Sequence, residues 1–283
     1  MKNCQIIIEK SKIEEYKNKK FATINPDDVS KIVINGEVVK NKMQDGIEYV
    51  TILSNIGGAF SQEWAKSDIK ILFILRESYI LYDSFINGDF GGHDKIKEYT
   101  EGDDWKENLW ENVTYRNMVK ITYLTYLMKI GEISEIINDD IAGELKRIFS
   151  EKWNEACEIF IKHAAVISVN PFPALAFPST RTDLSLLNKW LSIPEIKSML
   201  QEEVKELNPK CVYGAFDLGS VSSYKQDGEQ DILGRRVTSG GKYDKFTLAI
   251  DESDVKWIQG VHPSSRPSHE KMLQIAHIIL FEE

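Results

Sequence analysis

The chain reads as an α/β protein, a three-layer α/β/α domain around a central, mainly parallel four-stranded sheet. Three observations predict it. Short apolar runs at 69–75, 164–169, 211–213 and 255–261 are separated by longer stretches with helical periodicity, the alternation that builds parallel strands covered on both faces. Each run stops on polar residues or glycine: Arg76-Glu77-Ser78-Tyr79, Asn170, Gly214, and His262. With 283 residues, 42% of them hydrophobic, the chain can bury one large core.

Residues 1–66 read as an N-terminal, helical extension packed on the core, and 67–283 as the α/β domain. Within the extension, Asn35-Gly36 between apolar runs predicts a hairpin turn. Residues 47–66 read as helix interrupted by Gly57-Gly58. The run at 69–75 is the organising strand: too short for a buried helix and rich in strand formers. After a loop at 87–94, Trp105, Leu109 and Val113 begin one long core helix running to about Ile130. A charged helical stretch follows over 133–162, with Trp153, Cys157 and Ile161 on one stripe.

The second strand, 164–169, ends in Asn170-Pro171-Phe172-Pro173, an amide followed by a proline-stiffened loop. Residues 184–207 are helical and broken near Pro194, and Asn208-Pro209 closes them before the third strand. The segment 215–245 is polar and glycine-rich, and 246–250 is a candidate extra strand. After the strand at 255–261, Ser268 is placed to cap the final helix, whose Met272, Ile275, Ala276 and Ile279 face the core.

Composition narrows the function. The formal net charge of -9 argues against a general nucleic-acid coat, so any nucleic-acid role must rest on a local patch. Arg235, Arg236, Lys242, Lys245, Arg266 and Lys271 cluster in the carboxyl-terminal third, although Asp227, Glu229, Asp231 and Asp244 are interspersed. Cys4, Cys157 and Cys211 lie far apart without CxxC spacing, which suits a reducing cytosol and excludes a four-thiolate cluster. The first residues hold only a short apolar core, Ile6-Ile7-Ile8, unlike a signal peptide. No run approaches the ~20 apolar residues of a membrane span. The expected location is the cytoplasm.

Three strand ends carry a family resemblance. RESY (Arg76, Glu77, Ser78, Tyr79), the strand-end Asn170, and HPSSRP (His262, Pro263, Ser264, Ser265, Arg266, Pro267) follow one another in the order of the motifs of the uracil-DNA glycosylase superfamily. HPSSRP is similar to that superfamily's HPS motif and closest to its single-strand-selective monofunctional class. NPKCVYGAF, beginning at Asn208, resembles the segment between its last two motifs. The resemblance covers about residues 65–283. It implies a hydrolase that cleaves the N-glycosidic bond of a deaminated or modified base in DNA, as in base-excision repair. The implied partner is DNA, single- or double-stranded. No cofactor and no metal are implied, and the chain is expected to act as a monomer away from membranes.

The resemblance also implies roles. Asn170 would read the base edge. His262 would hydrogen-bond the oxyanion developing on the departing base, which a neutral imidazole can do. Glu77 would orient a water or stabilise the sugar cation. Tyr79 would close the pocket beside C5, and Phe90 or Phe85 would stack on the base. Ser264 and Ser265 would hold phosphates, and Arg266, with Arg76 and Lys271, would contact the strand.

Plainer readings stand beside these. Glu77 can pair with Arg76, Asn170 before proline is a common turn starter, and His262 can be an ordinary loop histidine. The sequence departs from the family at Leu75 and Ser78, where the motif carries glycine and proline. Two other functions therefore stay open: a non-catalytic member that binds nucleic acid or a nucleobase, and a small-molecule nucleoside or nucleotide hydrolase. Ser239-Gly240-Gly241-Lys242-Tyr243 lacks phosphate-loop spacing, and His262, His269 and His277 lack the spacing of a histidine metal site.

Overall fold

The computed structural model describes residues 4–16, 23–34, 36–37, 42–54, 57–75, 79–81, 99–133, 141–172, 174–176, 183–214, 230–231, 234–238, 245–247, 254–259 and 267–281. The strands in chain order are β1 (Cys4–Glu9), β2 (Val29–Ile34), β3 (Lys42–Gln44), β4 (Ile47–Leu53), β5 (Gly57–Ala59), β6 (Ile71–Leu75) and β7 (Tyr79–Leu81). They continue as β8 (Ala164–Ser168), β9 (Ala174–Ala176), β10 (Cys211–Gly214), β11 (Gln230–Asp231), β12 (Gly234–Thr238), β13 (Lys245–Thr247) and β14 (Asp254–Gln259). The α-helices are α1 (Lys10–Glu15), α2 (Trp105–Glu111), α3 (Val113–Lys129), α4 (Ile141–Glu151), α5 (Trp153–His163), α6 (Leu184–Leu191), α7 (Pro194–Leu207) and α8 (His269–Phe281).

The fold is mixed α/β, and its main sheet is larger than the sequence suggested. Eight strands run in the order β11-β12-β13-β14-β10-β6-β8-β5. Four neighbours, β14, β10, β6 and β8, are parallel, with β6 and β10 inside. Antiparallel strands flank them: β5 on β8, and the β11–β13 meander on β14.

Side chains along β6 alternate between two cores. Ile71, Phe73 and Leu75 join the cluster filled by α2, α3, α4, α5 and α8. Leu72 and Ile74 join the cluster filled by α6, α7 and the N-terminal sheet. This two-sided burial explains the continuous apolar run. The central helix α3 is buried nearly all round, packing on α8, α5 and α2. Its buried Thr122 and Thr125 donate to the carbonyls one turn back, Met118 and Ile121, so they carry no unsatisfied hydroxyl.

The N-terminal region corrects the expectation of a helical extension. It is a four-stranded antiparallel sheet, order β2-β1-β4-β3, with one short helix. Residues 47–66 form β4, β5 and a 3-10 turn at Gln62–Lys66 rather than a helix. The reason is legible in IEYVTIL, whose β-branched residues favour a pleated surface. The observed hairpin joins β3 to β4 through Asp45-Gly46, both left-handed at φ 52° and 79°, as a tight primed turn requires. Asn35 of the expected turn lies outside the described residues. Gly57 at φ +102° lets β5 approach β8 so closely that a Cβ there would sit 2.1 Å from the Val166 carbonyl oxygen.

Two further boundaries differ from the reading above, and a third agrees with it. The expected single helix from Trp105 to Ile130 divides at Asn112, whose side chain accepts from the Thr114 and Tyr115 N–H groups and restarts the chain as α3. The last parallel strand spans Asp254–Gln259, and the extra strand Lys245–Thr247 pairs antiparallel. The helical stretch 184–207 divides where Pro194 opens α7, and Asn208 ends it in the left-handed region at φ 43°, as expected from the sequence.

Candidate functional site at the carboxyl edge of the parallel strands

From β6 the chain passes through α2–α5 to reach β8, all on one face of the sheet. From β8 it passes through α6 and α7, on the other face, to reach β10 on the far side of β6. The two connections therefore part company above β6 and β8. Such a divergence opens a crevice at the carboxyl ends of those strands.

The β6–β8 ladder breaks in this crevice. Its last paired residues are Leu75 and Ser168, and the Val169 N–H donates to the Leu75 carbonyl at 2.8 Å. Pairing resumes, still parallel, between Tyr79 of β7 and Ala174 of β9. On the β8 side, Val169, Asn170, Pro171 and Phe172 follow the last pair.

Asn170 is buried, at 1% exposure. Its Oδ1 accepts from the Phe172 N–H at 3.1 Å, closing a turn across Pro171. Phe172 is fully buried and packs on Trp190, with ring centroids 4.8 Å apart. The Trp190 Nε1–H in turn donates to the Ile24 carbonyl at 2.7 Å. The loop after β8 is therefore anchored through α6 to the N-terminal region. The turn-forming role of Asn170 is present, and it also sets the orientation of the amide. Nothing in the sequence singled out Phe172 and Trp190 as this anchor; the apolar residue inside Asn-Pro-Phe-Pro was the available signal.

The remaining site residues divide as follows. The Tyr79 backbone is the first residue of β7, in register with Ala174. Lys271 is exposed in the first turn of α8, its N–H donating to Ser268 Oγ at 3.3 Å, so Ser268 caps this helix. Arg76, Glu77, Phe85, Phe90, His262, Ser264, Ser265 and Arg266 lie outside the described residues. The strand that leads to His262, β14, is parallel to β6 and β8 and ends at the same edge. At the usual strand spacing it stands about 10 Å from β6 and about 14 Å from β8.

Other reactive pairs are structural. Ser67 Oγ and His163 Nδ1 are 2.7 Å apart, but the same hydroxyl accepts from the Ile69 and Lys70 N–H groups. The pair braces the opposite, amino edge of the sheet, where β6 begins and α5 ends. Burial holds the His163 imidazole below its usual range, with Asp68 partly opposing. Burial also pushes the thiols of Cys4 and Cys157 up to about 12, so neither offers a thiolate nucleophile near neutrality. Among the described residues, no three His, Cys, Asp or Glu side chains converge as a metal set, and no helix is long and apolar enough to cross a membrane.

No family model, curated protein or solved structure matches this chain.

Proposed function

We propose that the crevice between β6 and β8 binds a flipped base, and that the chain is a uracil-DNA glycosylase-like hydrolase acting on a deaminated or modified base in DNA. The observation that carries this reading is the placement of Asn170. It is buried just past the last β6–β8 pair, at the carboxyl edge of the parallel strands, and held by its own turn. The fold reading that accompanies it is a three-layer, uracil-DNA glycosylase-like domain; the neighbouring parallel strands and the divergence of their connections support it.

In this mechanism the bond from C1′ to the base nitrogen breaks, and its electron pair leaves with the base. Asn170 pairs with the base edge, and its fixed amide plane lowers the cost of doing so. His262 donates a hydrogen bond to the oxyanion on the base. Glu77 orients the water that adds to C1′ and accepts its proton. Tyr79 flanks C5, Phe90 stacks on the base, and Arg76, Ser264, Ser265, Arg266 and Lys271 hold the strand. The test is base release from a uracil-containing oligonucleotide. His262→Ala and Glu77→Gln should abolish release while circular dichroism stays unchanged; full activity in both would overturn the mechanism.

One observation favours a second reading, binding without cleavage. Leu75 stands where the resemblance expects glycine; its side chain fills the core beside α3 and its carbonyl is committed to Val169. Close backbone approach of a ligand at this point is thereby reduced. Tight, salt-sensitive binding of a uracil or abasic oligonucleotide with no turnover is the result that selects it.

A further inference from the structure

Two cations stand together on the helical face above the same sheet edge, with no carboxylate paired to either among the described residues. Arg116 and Lys120 are one turn apart on α3. The Arg116 Nη1–H donates to the Trp110 carbonyl at 2.8 Å, and its guanidinium lies 5.4 Å from the Trp110 ring centroid. Lys120 Nζ is 5.8 Å from that ring and 5.1 Å from the Phe149 ring of α4. His269, the first residue of α8, has its ring 5.8 Å from Phe149.

Several cations of the surrounding helices are paired: Lys106 with Glu158, Lys129 with Asp68, Arg147 with Glu151, and Lys152 with Glu132. Among the described residues, no carboxylate pairs with Arg116 or Lys120. Both are half-buried, whereas Glu111, Glu144 and Glu270 nearby are exposed. Burial and then the Arg116 charge push Lys120 below the usual lysine range, and burial, then Lys120, lower His269. The Trp110 and Phe149 rings offset part of the repulsion between these two like charges, and an anion joining both cations would relieve the rest.

The cluster also lies on the correct side of the molecule. Lys129, at the far end of α3, pairs with Asp68 just before β6 begins. Arg116 and Lys120 therefore lie toward the carboxyl edge. α8 starts at that edge, downstream of β14. The guanidinium bond to Trp110 uses one of five donors, so a forked set and a point charge converge on one place. That pairing suits the tetrahedral oxygens of a phosphate. Trp110, 42% exposed, supplies a ring beside it on which an unpaired base can stack.

We propose that Arg116, Lys120 and Trp110 form a docking site for a backbone phosphate of single-stranded DNA, with the adjacent base on Trp110. The inference rests on reading the β6–β8 crevice as a base site, and it places the strand across the start of α3 and α8. The strand leaves the crevice on the side of Lys271.

The test measures binding of a labelled single-stranded oligonucleotide by anisotropy across a salt series. It compares the full chain with Arg116→Gln, Lys120→Gln and the double variant. Lys189→Gln, whose lysine pairs with Asp27 on another face, serves as the control. The double variant should bind at least about tenfold more weakly, and its slope of log affinity against log salt should fall by about 0.7 for the lost phosphate. Lys189→Gln should change neither. An unchanged slope in the double variant overturns the site. Base release by that variant would then show that the crevice reading survives alone. A reduced slope with no base release by the wild type upholds the docking site and rejects the catalytic reading. If inorganic phosphate broadens in its phosphorus NMR signal with wild type only, and no oligonucleotide binds, the cluster is a free-phosphate site and the strand assignment is overturned.

Discussion

Substitution can separate the turn-forming role of Asn170 from the base-reading role proposed for it. In Asn170→Ala the Phe172 N–H, in a fully buried residue, loses its acceptor at 3.1 Å. An orphaned buried donor costs about 1–3 kcal/mol. For a chain of this size that corresponds to a fall in Tm of about 2–5 °C. Asn170→Asp keeps an oxygen in place for Phe172 but removes the amide N–H donors that would pair with a base carbonyl. The alanine variant should therefore lose both stability and base release. The aspartate variant should hold the Phe172 turn and still lose release from a uracil substrate. The assays are thermal unfolding and single-turnover base release on the same preparations. Aspartate retaining full release would refute the base-reading role, and alanine melting with the wild type would refute the structural role of the turn.

Two other substitutions test the fold. Gly57→Ala places a Cβ against the Val166 carbonyl and a side chain at φ +102°; strain and overpacking together should cost about 2–5 kcal/mol, read as a lowered urea midpoint, and an unchanged midpoint would show that β5 does not dock on β8 as described. His163 is held below its usual value of 6.5 by burial. The unfolded chain therefore binds its proton first as pH falls, and the stability due to the neutral imidazole, present above about 6.5, is lost below it. Urea midpoints should fall from pH 7.5 to 5.5, and His163→Gln should flatten that fall; His269, lowered in the same sense, keeps some of it. An identical pH profile in the variant would contradict the assignment.

The parallel strands β6, β8 and β10 were legible because each is buried on both faces and so reads as an apolar run. Pro194, Asn208 and Ser268 marked helix ends through local chemistry that tertiary contacts did not override. The N-terminal sheet was missed because the glycines at 57–58 looked like breaks in a helix, and their real function, close approach to β8, depends on a strand more than 100 positions away. Asp45-Gly46 was a turn signal as clear as Asn35-Gly36, and the alternation around it was the deciding feature. At Asn112, a capping side chain outweighed the continuous helical periodicity on either side. Of the site, the sequence indicated Asn170 through its position at a strand end. The Phe172–Trp190 anchor joins a loop to a helix, and the Arg116–Lys120 pair meets Trp110 and Phe149 from two other helices, contacts that local spacing does not reveal.

The central claim, that the β6–β8 crevice holds a base for excision, is tested most directly by base release from single- and double-stranded oligonucleotides. The substrates would carry uracil, hypoxanthine, xanthine or 5-hydroxymethyluracil, with wild type run beside His262→Ala. The account predicts release of at least one base by the wild type and its loss in the variant. Release undiminished in the variant would contradict the mechanism, and neither release nor a gel shift with any oligonucleotide would contradict the claim itself.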